Sequence, residues 1–88
     1  MKDPQDRFSD RLIEVVTAAL ADRIRQRRLS LGLSVEVVAR SLGIAAQQLE
    51  KYESGKNRLT GVRLYQLGKI LAVPVSFFFE GIEDRAKT

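Results

Sequence analysis

The sequence contains neither cysteine nor histidine. Without thiols there is no disulfide framework, no thiolate nucleophile and no cysteine zinc site, which is compatible with a reducing cytosol. Without imidazole the commonest general base and metal ligand is missing, and with it every triad built on one. No apolar run approaches the length that spans a bilayer, and the N-terminus has no apolar segment of the kind that forms a secretory signal. The carboxylates are scattered over prospective helix surfaces, and no glycine-rich loop is placed to cradle a phosphate. These absences argue against an enzyme, a metal or cofactor site and a membrane protein.

What is present suits one small domain. At 88 residues the chain lies near the lower end of the size that folds on its own core. The net charge of +4 and pI near 9.9 favour a polyanionic partner, so the placement of the cations matters more than their total. Residues 1–8 read as a flexible arm, 9–82 as the domain and 83–88 as a polar tail.

The most informative stretch is 34–53, SVEVVARSLGIAAQQLEKYE, which reads as two short helices hinged at Gly43. Val38, Leu42, Ile44, Leu49 and Tyr52 supply apolar positions, and Ala39 is small where the first helix must lie close to the second. Ser34 suits an N-cap, and Gly43 suits a residue that ends one helix and reverses the chain. The layout is a helix-turn-helix. Upstream, Phe8, Ser9 and Asp10 read as a helix start, with Ser9 as the cap and Phe8 stapled onto Ile13. A long first helix follows, with Leu12, Ile13, Val16, Leu20, Ile24 and Leu31 as one buried stripe, and Gly32 ends it. Downstream, Thr60 caps a fourth helix buried through Val62, Leu64, Leu67, Ile70 and Leu71, and Val73-Pro74 stops it. A last short helix is expected near Val75 to Glu80.

The surface positions carry the chemistry. On the helix over 45–53, Leu49 and Tyr52 face inward, which leaves Ala46, Gln47, Gln48, Glu50 and Lys51 in a patch that no core requirement explains. A carboxamide such as Gln47 can donate to and accept from one adenine edge; Ala46 suits a thymine methyl, and Lys51 a guanine edge or a phosphate. Gln48 points sideways and suits the backbone. The loop SGKNRLT, 54–60, is turn-rich and basic, and Ser54, Lys56, Asn57 and Arg58 supply donors for flanking phosphates. Against these readings stand an ordinary solvated helix surface and a solvated connector.

The spacing of Ala39, Gly43, Leu49 and Tyr52, followed by Glu53, Ser54 and Gly55, resembles the lambda-repressor-like (XRE, Cro/C1-type) helix-turn-helix family of DNA-binding regulators. The resemblance extends to Ile24, Arg28, Gly32, Leu33 and Ser34 upstream and to Leu64, Leu67, Ile70, Leu71, Val73 and Phe78 downstream. It implies an all-α, compact five-helix domain with an extended first helix, and 45–53 as the recognition helix in the major groove. It implies that Arg28 pairs with Glu53 to hold the first and third helices together. Arg27, and with it Arg23, then remain as phosphate contacts beside Ser34. Val35 and Ala45 depart from the family's phosphate-contacting side chains, so amides near Val35 and Glu36 would serve instead.

The resemblance further implies a cytoplasmic, sequence-specific regulator of double-stranded DNA, a repressor acting as a homodimer on a palindromic operator. Phe78 takes the family's core position. Phe77 or Phe79 then either forms a homodimer contact or is covered by the first helix. The competing reading is a protein-interaction module of the same fold, antitoxin-like or anti-regulator, with a protein partner and weak DNA binding.

Overall fold

The computed structural model describes residues 10–82, so the arm, the Ser9 cap, the Phe8 staple and the tail lie outside the described residues. Within them the chain forms α1 (Asp10–Ser30), α2 (Val35–Leu42), α3 (Ala46–Glu53), α4 (Gly61–Ile70) and a short 3₁₀ turn (Val75–Phe79). The expected fifth α-helix is therefore replaced by one 3₁₀ turn. Pro74 opens it without an N–H, and its bonds run over three residues, from Phe77 N to Pro74 O and from Glu80 N to Phe77 O. Extended backbone at Glu80 and a left-handed Gly81, φ 78°, stop the chain before a wider α-turn can form.

Local signals set the other boundaries. The Ser34 hydroxyl accepts from Val37 N at 3.1 Å and the Thr60 hydroxyl from Arg63 N at 3.1 Å, which caps α2 and α4. Gly43 sits at φ 72°, donates to Arg40 O, and lets Ile44 N return to Ala39 O, so α2 closes and the chain reverses into α3. Helix α4 ends before the Val73-Pro74 stop. Ala72 takes a left-handed φ of 57°, and Val73 N closes onto Gly68 O at 3.0 Å.

The elements surround one core, in which Ile24, Val38, Leu49, Leu67, Leu71 and Phe78 are fully buried. Burying each such side chain is worth about 1.5–3 kcal/mol, so this cluster is what places α3. Leu12 and Ile13, expected in it, are only half-buried and lie outside the cluster, and two further expected core residues are exposed. Leu31 is 39% exposed because α1 ends at Ser30 and Leu31 belongs to the turn. Val62 is 71% exposed because it shares the outward stripe of α4 with Tyr65 and Lys69, three and seven residues on.

Candidate nucleic-acid interface

Helix α3 has a sharply divided circumference. Leu49 and Tyr52 are buried, and Gln47, Glu50, Lys51 and Ser54, spaced by three and four, share the opposite, exposed face. Ala46 is half-buried against the core, and Gln48 is half-buried as well. The exposed face borders an open depression of about 690 Å³ whose other walls are Arg25 and Arg28 of α1, Val35 of α2 and Lys56 of the following loop.

Arg28 fixes how α3 sits on α1. Its Nε donates to Glu53 Oε2 at 2.7 Å and its Nη2 to Oε1 at 3.0 Å, a two-point pair with both side chains almost wholly buried. Its Nη1 donates to Leu33 O at 2.9 Å, which ties in the α1–α2 turn. The guanidinium is held above its ordinary value, first by the hydrogen bond to Glu53 and then by the charges of Glu53 and Glu36, against the effect of burial. The Arg28–Glu53 pair implied by the resemblance is thus present.

The other arginines of α1 divide by face. Arg27 Nε donates to Leu71 O at 2.9 Å, where it binds the C-terminal end of α4. Arg23 Nη2 donates to Glu80 O at 2.7 Å, and its guanidinium lies 5.3 Å from the centre of the Phe77 ring. Both phosphate candidates therefore belong to the scaffold that holds α4 and the 3₁₀ turn. Arg25, of the four arginines at 23–28, is the exposed one, on the wall facing α3. The sequence reading missed it, although a signal existed: Arg25 precedes Arg28 by three residues, shares its side of the helix, and Arg28 is tied to Glu53.

The loop after α3 folds back on the helix end. Gly55 is left-handed at φ 78°, Lys56 N and Asn57 N both reach Lys51 O, at 3.0 and 3.3 Å, and the Ser54 hydroxyl donates to the same oxygen at 3.2 Å. Lys56 and Arg58 are left exposed and Asn57 half-buried. Ser54 is exposed, but its hydroxyl proton is already committed; Ser34, whose oxygen accepts in its cap, keeps its proton for an outside acceptor. The Tyr52 phenol is held below its ordinary value, first by hydrogen bonding from Gln48, then by Arg63, with burial acting the other way.

Among the three consecutive phenylalanines, Phe78 is fully buried and Phe77 is half-buried, edge-on to Phe78 with ring centres 5.8 Å apart and covered by Arg23. Phe79 stays 44% exposed. The first helix therefore covers one of the two candidates. Among the described residues no group of three or more acidic side chains is arranged to hold a metal ion, and no helix is long and apolar enough to cross a membrane.

Four α-helices with α2 and α3 joined by a left-handed glycine, and α3 presenting its polar face outward, define a helix-turn-helix domain. The family model described as helix-turn-helix matches residues 24–78, and the chain belongs to that family, in agreement with the lambda-repressor-like resemblance. It is 47% identical over 73 residues to a protein of Rhodospirillum rubrum named as an uncharacterized transcriptional regulator in the ATPase CF(0) region, covering 83% of this chain and 68% of that one. It is 54% identical over 61 residues to a protein of Sinorhizobium medicae named as an uncharacterized HTH-type transcriptional regulator, covering 69% of this chain and 44% of that one. It is 29% identical over 76 residues to the HTH-type transcriptional regulator DicA of Escherichia coli, covering 86% of this chain and 56% of that one. The chain thus spans between under half and about two thirds of the length of these relatives.

Proposed function

We propose that this chain binds double-stranded DNA sequence-specifically as a transcriptional regulator of the repressor type, in the cytoplasm, with α3 in the major groove. The observation that carries the reading is the outward face of α3. Gln47, Glu50 and Lys51 make no side-chain hydrogen bond or ion pair among the described residues, although they line one concave surface beside Arg25 and Lys56. Polar groups so presented, on a rigid helix held by a buried ion pair, suit an outside partner with hydrogen-bonding edges and a polyanionic frame. Gln47, Lys51 and the half-exposed Ala46 methyl then read bases. Arg25, Ser34, Lys56, Asn57 and Arg58 contact phosphates, while Arg27, Gln48 and Ser54 act chiefly within the fold.

The regulator works as a homodimer on a palindromic site, with Phe79 as the apolar anchor between copies; its exposure supports this. Two recognition helices then enter half-sites whose centres lie about 34 Å apart. The test is selection of bound duplexes from a random DNA pool at physiological salt, followed by sequencing. A palindrome with half-sites one helical turn apart is expected. A folded protein that retains no sequence above background, yet holds tightly to a co-purifying protein, would move the function to the protein-interaction reading.

A further inference from the structure

The residue on α3 that the base-reading assignment leaves without a role is Glu50. Around the helix each residue advances by about 100°, so Gln47, Glu50, Lys51 and Ser54 span about 100° of arc, centred opposite Leu49 and Tyr52. Glu50 and Lys51 lie about equally far from the middle of that arc. Glu50 therefore faces outward as squarely as Lys51, and more so than Ala46 or Gln48. It is exposed, it lines the 690 Å³ depression together with Gln47, Lys51 and Arg25, and its carboxylate has no partner among the described residues. Nearby Arg28 does not neutralise it, because that guanidinium is bound on two points to Glu53.

An unpaired carboxylate on a surface that meets a polyanion weakens binding to every duplex alike, unless a donor on the nucleic acid meets it. An ionised carboxylate only accepts hydrogen bonds. In the major groove, guanine and thymine offer it acceptors or a methyl group, and cytosine N4 and adenine N6 offer N–H donors; beside adenine N6 lies the N7 acceptor, which a carboxylate cannot satisfy. We propose that Glu50 is a specificity-determining residue that accepts a hydrogen bond from the N4 amino group of a cytosine and rejects the other three bases at that position. Lys51, its neighbour, donates to a guanine edge on the same or the adjacent pair, so the two residues read a G·C-containing step by opposite charge. This rests on the DNA-binding reading above and assigns part of its sequence preference.

The test is random-pool selection at fixed salt with the unaltered chain, Glu50→Ala, Glu50→Gln and, as a control that removes one negative charge off α3, Glu80→Gln. The unaltered chain selects a cytosine that Glu50→Ala no longer requires, with discrimination there falling about 5- to 10-fold and the other positions kept. Glu50→Gln shifts the same position toward adenine, since a carboxamide both donates and accepts. Glu80→Gln leaves the motif intact. If Glu50→Ala binds every duplex more tightly with an unchanged motif, Glu50 only repels, and the inference is overturned while the DNA-binding reading stands. If the unaltered chain selects no motif, both readings fall together.

Discussion

The two sides of α1 carry the same residue type to opposite ends. On the side facing α4 and the 3₁₀ turn, Arg23 and Arg27 end on main-chain carbonyls of Glu80 and Leu71. On the side facing α3, Arg28 is sealed against Glu53, and Arg25, three residues earlier, is left in solvent at the rim of the depression. Four arginines within six residues thus supply two braces, one buried strut and one exposed cation with no partner among the described residues. What separates them is the partner that packing brings within reach. A charge run on a helix is therefore uninformative until each member's neighbour is known.

The largest effect expected from breaking this division is at the strut. Arg28→Ala leaves the Glu53 carboxylate buried and unpaired, and should cost about 3–5 kcal/mol in urea unfolding. Replacing Arg28 and Glu53 together by apolar residues of similar size should recover much of that loss, because desolvation already offsets most of the pair's attraction. A single change that left the unfolding midpoint in place would show that the strut does not hold α3.

Next comes the free face. Gln47→Ala should leave the unfolding midpoint unchanged and cost about 1–3 kcal/mol of discrimination at one base position, read by competition binding against single-base variants of the selected site. Unaltered preference at every position would remove Gln47 from the base-reading set.

The sharpest version of the comparison sets Arg27 against Arg25. Arg27→Ala should lower stability by about 1 kcal/mol through the lost bond to Leu71, with little change in the salt dependence of DNA binding. Arg25→Ala and Arg58→Ala should do the reverse, each reducing the slope of log affinity against log salt by about one while leaving unfolding unaffected. If the two arginines of α1 exchanged these outcomes, the assignment of their faces would be inverted.

The smallest effect concerns Gln48. Ultraviolet titration should place the Tyr52 phenol below that of the unfolded chain, and Gln48→Ala should raise it toward the ordinary value. A lowered native value contributes stability only above the unfolded value and loses it as pH falls through the native one, so this link adds nothing at neutral pH. No movement of the phenol on Gln48→Ala would free Gln48 for a phosphate.

Much of the fold was legible because its signals are local. Ser34, Gly43 and Thr60 cap and terminate helices through bonds to residues within five positions of themselves, so their residue types suffice to place the boundaries. The spacing of Leu49 and Tyr52 likewise determines which side of α3 is free. The misplacements share the opposite cause. Leu31 lies in register with the stripe of α1 but past its last residue, and Val62 lies on the side of α4 opposite its buried stripe. The phenylalanine run became a 3₁₀ turn under the joint limits of Pro74 and Gly81.

By itself the sequence determined an all-α chain without catalytic imidazole or thiol, the hinge at Gly43, the buried and exposed faces of α3, and, through its family resemblance, the Arg28–Glu53 pair. Only the tertiary structure decided that Arg23 and Arg27 brace the scaffold, that Arg25 lines the same depression as Gln47, Glu50 and Lys51, and that Phe79 rather than Phe77 stays exposed. The reason is physical. Helical propensity, capping and periodicity act over one or two turns, whereas the partner of a long charged side chain is set by how helices far apart in the chain cross, as when Arg27 meets Leu71.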